Sequence, residues 1–135
     1  MRKGAIHYSS KPQQHSFNFP YQLQYRGQDL ARDADVEVFS VELGDVLILG
    51  SDGLFDNLYL HHFEECLSRC LPSNSLDPEK LAKTLALLAH EKAMDRSYNS
   101  PFATEAMQAG KHFQGGKMDD ISVVVAYVAG EQARL

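Results

Sequence analysis

The chain has 135 residues, a length that fits one domain. It is 44% hydrophobic and 23% charged, which excludes the disordered and collagen-like classes. Its net charge of -5 argues against non-specific nucleic-acid binding and suits a cation partner better. The longest apolar runs, Val46–Leu49 and Val123–Val128, are far shorter than the ~20 residues of a membrane span. Met1 to Ile6 carries positive charges with no apolar stretch behind them and does not read as a secretory signal. Cys66 and Cys70 make no disulfide framework; they read as buried thiols of a reducing compartment.

Ser9 to Gln14 reads as a loop. Phe17, Phe19, Tyr21 and Leu23 alternate with polar residues and Pro20, the pattern of an irregular or edge strand. Gln24 to Asp35 is charged and reads as an exposed connection. Phe39, Val41 and Leu43 share one face, Gly44-Asp45 breaks the run, and Val46 to Leu49 follows without a polar residue. The spacing predicts two antiparallel strands joined by a tight turn, the second buried on both faces. Gly50 to Gly53 reads as a loop.

Leu58, Phe63, Cys66, Leu67, Cys70 and Leu71 follow the helical period, predicting a helix over Tyr59–Leu71 that Pro72 ends. Asp77-Pro78 is the signature of a helix start, with Asp77 as cap. The helix that follows puts Leu81, Ala82, Leu85, Leu88 and Ala89 on one face and runs to Met94. Asp95 to Ser100 reads as a loop, Pro101–Ala109 as a short helix, and Gly110 to Gly116 as a glycine-rich loop. Ile121 to Val128 is β-branched and nearly all apolar, so it is expected to be central in a sheet. The layout is α+β: an antiparallel sheet with helices on one face.

The informative residues are carboxylates. Asp52 follows the end of one strand, and Asp119 and Asp120 precede the start of another. If these strands are antiparallel neighbours, their carboxylates meet on one rim and repel unless a cation compensates. Such hard oxygen donors favour Mg²⁺ or Mn²⁺. The ordinary alternative is that Asp-Gly is simply a turn and Asp a common cap. His62, Cys66 and Cys70 form a row at helical spacing, but its ends would lie ~12 Å apart, too far to share one zinc ion.

Gly44-Asp45-Val46-Leu47-Ile48-Leu49-Gly50-Ser51-Asp52-Gly53-Leu54-Phe55-Asp56-Asn57 resembles a motif of the type 2C metal-dependent Ser/Thr protein phosphatases. Gly115-Gly116-Lys117-Met118-Asp119-Asp120-Ile121-Ser122-Val123 resembles that family's last motif. Both stand in the family's order, with a helical region between them. Gln13 to Leu23, with Ser100-Pro101-Phe102-Ala103, resembles a narrower branch: small mitochondrial and plastid phosphatases acting in coenzyme Q biosynthesis and organelle maintenance. The likeness covers about Gly4 to Val128. It implies the C-terminal portion of a four-layer αββα sandwich and a two-metal hydrolase that dephosphorylates phosphoserine or phosphothreonine in proteins with a metal-bridging water. It implies Asp52 and Asp119 as metal ligands and Asp120, where many members carry Asn, as support for Asp119. Asp56 matches an acidic position that helps hold a third metal; read on its own, it is equally an N-cap of the next helix. Gly53, Gly115 and Gly116 supply loop flexibility. Lys117 lies beside the loop, within reach of a phosphate.

The family's N-terminal motifs and phosphate-gripping arginine have no counterpart here. Arg2, Arg26, Arg32, Arg69 and Arg96 read as solvated charges. Residues 1–135 are therefore expected to be the C-terminal portion of a domain, with its N-terminal half absent or supplied by a partner chain. Alone, the chain is expected to be poorly stable, weak in metal binding and inactive. The alternative is a catalytically incomplete pseudo-phosphatase or regulatory binding module.

Overall fold

The computed structural model describes residues 1–70 and 77–130. The chain divides into two compact units, one of Ser9–Ser40 and one of Met1–Tyr8 with Val41–Leu135.

In the smaller unit the alternating segment is a small hairpin, not one strand. Strands β1 (Gln14–Ser16) and β2 (Phe19–Pro20) pair antiparallel around Asn18. Asn18 takes φ +55, a conformation that asparagine tolerates and β-branched residues do not. Its N–H donates to the Gln14 Oε1 at 3.1 Å. The exposed connection behind it holds one 3-10 turn, Ala31–Asp33. Asp29 braces the unit: it contacts the His15 Nε2 at 2.8 Å and accepts from the Gln22 N–H at 2.8 Å, while the His15 ring stacks on Tyr21.

The larger unit is built on strands β3 (Val46–Gly50) and β4 (Val123–Tyr127), paired antiparallel from Val46↔Tyr127 to Gly50↔Val123. Helices α1 (Asp52–Phe55), α2 (Leu60–Cys70), α3 (Pro78–Met94) and α4 (Pro101–Gln108) lie between them in sequence. The α+β class stands. The core joins Val46, Leu54, Leu58, Phe63, Leu67, Leu81, Leu85 and Ala89, with Ile48, Val123 and Val125 packed against it. Burying one such large side chain stabilises by about 1.5–3 kcal/mol. Asp77 caps α3 as its sequence predicts, accepting from the Lys80 N–H at 3.1 Å. The predicted end of α2 at Leu71-Pro72 lies outside the described residues.

Three expectations need correction. The segment through Phe39, Val41 and Leu43 is not a strand. The backbone of Val46 is instead paired in both directions with Met1: its N–H donates to the Met1 carbonyl at 2.9 Å, and its carbonyl accepts from the Met1 amino group at 2.6 Å. That fills the position a hairpin return would need. Second, β3 and β4 are buried on one face only; Leu49 is 59% and Val124 61% exposed. Their continuous apolar sequence overstated their burial. Third, Gly50 to Gly53 is not all loop, because α1 begins at Asp52.

Arg2 is not a solvated charge. Its Nε and Nη2 grip the Asp45 carboxylate at 2.9 and 2.8 Å, and its Nη1 meets Glu42 at 2.7 Å. These bonds, then the Glu42 N–H, hold the Asp45 carboxyl well below its ordinary value of 3.8. A carboxyl lowered in the fold stabilises fully above its unfolded value, and that stabilisation drains away as pH falls through the folded value. The stability gap between wild type and Asp45→Asn is therefore expected to be full at about pH 6 and to narrow below about pH 3. Urea midpoints at the two pH values check this; a gap independent of pH would remove the pairing from the account.

Candidate metal centre

The ladder fixes the site. With Gly50 opposite Val123, residues just after β3 face residues just before β4. Ser51 continues the stitching: its N–H donates to the Ser122 carbonyl at 3.1 Å, and its hydroxyl donates to the Asp120 carbonyl at 2.7 Å and accepts from the Ser122 N–H at 3.0 Å. Asp52 and Asp119 therefore come to one rim from positions far apart in sequence.

Asp52, Asp56 and Asp119 each place a carboxylate oxygen within 4.8 Å of the other two. Opposite oxygens around a Mg²⁺ or Ca²⁺ ion lie about 4–5 Å apart, so this set is of a size to hold a metal ion. Two full charges at that separation repel by about 1 kcal/mol in a water-like medium and about 3.5 at an effective dielectric of about 20. The cluster needs a cation, and the chain supplies one. The Lys117 Nζ lies 2.6 Å from Asp56, 3.2 Å from Asp119 and 3.6 Å from Asp52. Three hard oxygen donors thus converge on one positive charge, an arrangement that fits a cation.

Each titration follows from its surroundings. Burial pushes the Asp56 carboxyl up despite its bond to Lys117. The Asp120 N–H, then Lys117, hold Asp119 down. Burial pulls the Lys117 ammonium down, but its bond to Asp56 and the surrounding carboxylates outweigh it, and the net shift is upward. The lysine is thus held charged.

Asp56 is not the N-cap of α2. Its main chain closes α1, its N–H donating to the Asp52 carbonyl at 2.7 Å, and its side chain faces Lys117. Asp120 assists Asp119 through its main chain, donating its N–H to the Asp119 Oδ1 at 2.9 Å; its side chain is not in the cluster. Gly53 serves approach rather than flexibility. A Cβ there would overlap the Asp120 carbonyl oxygen and stand 3.3 Å from the Asp119 Cβ. Gly115 does use positive φ, at +92, and Gly116 abuts the Lys92–Ala93 backbone.

Asn57 is the residue that sequence reasoning missed. Fully buried, it donates to the Gly53 carbonyl at 2.9 Å and the Lys117 carbonyl at 2.8 Å, and accepts from the Lys117 N–H at 2.9 Å. It locks α1 to the loop before β4. Ser100, also fully buried, caps α4 and donates to the Gly115 carbonyl at 2.7 Å. The signal for Asn57 was its place in the Asp52-to-Asn57 string; nothing local marked its partners. Among the described residues, His62, Cys66 and Cys70 are not brought together as a metal-holding group; Cys66 and Cys70 are buried in the core, and the His62 Nδ1 accepts from the Tyr59 N–H.

Known proteins resemble this chain in sequence and in fold. The chain is 43% identical over 133 residues to Probable protein phosphatase 2C 55 of Arabidopsis thaliana, covering 98% of this chain and 28% of that protein. It is 37% identical over 137 residues to the protein phosphatase PTC7 homolog of Homo sapiens, covering 96% of this chain and 45% of that protein. The photosystem II phosphatase PBCP has a solved structure that matches with a TM-score of 0.82 at 35% identity, over 95% of this chain and 53% of that one. No protein-family model matches the chain. Over almost its whole length the chain is similar to part of each of these protein phosphatases, the first of them of type 2C. It spans about half or less of the length of these relatives.

Proposed function

We propose that this chain carries the C-terminal metal-holding part of a phosphatase domain that hydrolyses phosphoserine or phosphothreonine in proteins. The carrying observation is the convergence of Asp52, Asp56 and Asp119 on one cation position. In this reading Asp52 and Asp119 hold Mg²⁺ or Mn²⁺, and Asp56 turns its less exposed carboxylate to the same place. When bound, two such ions supply an activated water near neutral pH. The chain's own part is positional: α1 presents Asp52, the loop before β4 presents Asp119, and Ser51 and Asn57 hold the two together.

The N-terminal half of the domain would bring the remaining ligands and the phosphate-gripping group. The shares of the relatives that the chain spans support this division, as does the exposed apolar face of Leu49 and Val124. Three aspartates gathered at a crowded, repulsive rim favour the enzyme over a pure binding module.

Titration of the chain with Mn²⁺, against Asp52→Asn and Asp119→Asn, tests the reading. Each variant is expected to bind at least about tenfold more weakly, as loss of groups in or beside a metal's coordination shell commonly does. Equal binding by all three proteins would take the metal away from these residues.

A further inference from the structure

Lys117 is more than a neighbour of the acidic cluster. Its side chain is only 17% exposed, and its ammonium faces all three carboxylates. It also lies 4.7 Å from the centre of the Phe102 ring, so an aromatic face backs the charge. The main chain that carries it is fixed on both sides by Asn57, through the Lys117 N–H and carbonyl. The base of the side chain is therefore anchored, while its four-carbon stem keeps several rotatable bonds.

We propose that Lys117 is a tethered counter-cation: it neutralises the site while metal is absent, must swing aside to admit a divalent ion, and so sets how tightly the site holds metal. The inference rests on the metal reading above. Its physical basis is that one set of carboxylate oxygens cannot face an ammonium and a divalent ion in the same space. The oxygen that meets Lys117 at 2.6 Å belongs to Asp56, and it becomes available to metal only when that bond opens. Competition follows, and the lysine lowers affinity by the amount the two cations exclude one another.

The distinction from a structural role lies in the sign. A lysine that merely shapes the site would weaken metal binding when removed. A competing lysine would strengthen it. Lys117→Met is expected to bind Mn²⁺ about tenfold more tightly than wild type, and Lys117→Arg, which keeps the charge, to show no such gain. Unchanged or weaker binding by Lys117→Met would overturn the proposal. A second measurement needs no variant. Peptide mapping after brief treatment of wild type with an amine-acylating reagent is expected to show severalfold faster modification of Lys117 with saturating Mn²⁺ than without it; unchanged or slower modification would overturn the proposal. The Asp119→Asn arm separates the two readings. If Asp119→Asn binds Mn²⁺ as wild type does, the metal reading itself fails. If it binds weakly while Lys117→Met shows no gain, the competitor role alone fails.

Discussion

Asn57→Leu is expected to lower the stability of the chain by about 3 kcal/mol or more. The substitution is close in size, so it leaves little cavity. What it removes is three hydrogen bonds of a fully buried side chain, one of them buried and two part-buried. The Gly53 carbonyl, the Lys117 carbonyl and the Lys117 N–H would lose their Asn57 partner. Each buried polar group left unpaired costs about 1–3 kcal/mol. Asn57→Asp should fare no better, since a carboxylate cannot donate to the two carbonyls and adds a negative charge beside three others. Urea unfolding measures both. A loss below about 1 kcal/mol for Asn57→Leu would mean that water replaces the amide without penalty. Because Asn57 ties α1 to the loop carrying Lys117 and Asp119, the variant should also weaken Mn²⁺ binding in whatever fraction stays folded.

The second large effect is expected at Gly53. An added methyl group would collide with the Asp120 carbonyl and press on the Asp119 Cβ. Both belong to the segment that the Ser51 hydroxyl stitches to the end of β3, so neither can yield without opening the site. Overpacking of this kind costs about 1–3 kcal/mol, and Gly53→Ala is placed at the upper end because backbone rather than a flexible side chain must move. Gly110 provides the control. It has φ +68 but nothing within 4 Å of an added Cβ, so Gly110→Ala meets conformational strain of about 1–2 kcal/mol and no collision. Thermal melts of the pair, with and without Mn²⁺, decide the matter. Gly53→Ala should melt lower than Gly110→Ala and gain less from metal. The reverse order would show that the contact between α1 and the loop before β4 is loose.

The sequence announced those parts of the molecule whose signals are local and periodic. Asp77-Pro78 marks the start of α3, and Ser100-Pro101 that of α4. The apolar runs at Val46 and Val123 mark the two strands. From these strands alone, the supposition of antiparallel pairing was enough to bring Asp52 and Asp119 together. The strand expected through Phe39 and Leu43 failed because alternation describes side-chain faces and says nothing of whether a backbone partner is at hand. At Val46 that partner is Met1. The burial of β3 and β4 was overstated because a sequence cannot show which face of an apolar strand is covered.

Within the site, the carboxylates were legible and the groups that organise them were not. Lys117 reaches Asp56 across 61 positions of sequence, and Asn57 reaches Lys117 across 60. No spacing rule spans such distances. The ion pair of Arg2 with Asp45, 43 positions apart, escaped for the same reason.

The Gly50↔Val123 register has a consequence for how this protein can change over time. The carboxylates inherit their positions from a hydrogen-bonded ladder with a side-chain repeat of two. Insertion of a single residue within either strand would turn inward-facing side chains outward and shift one arm of the site by about 3.4 Å against the other. Tolerated length changes should therefore fall in the joining segments, or occur in compensating pairs across both strands. The strands act as a ruler, and drift in the surrounding loops can leave its final graduation untouched.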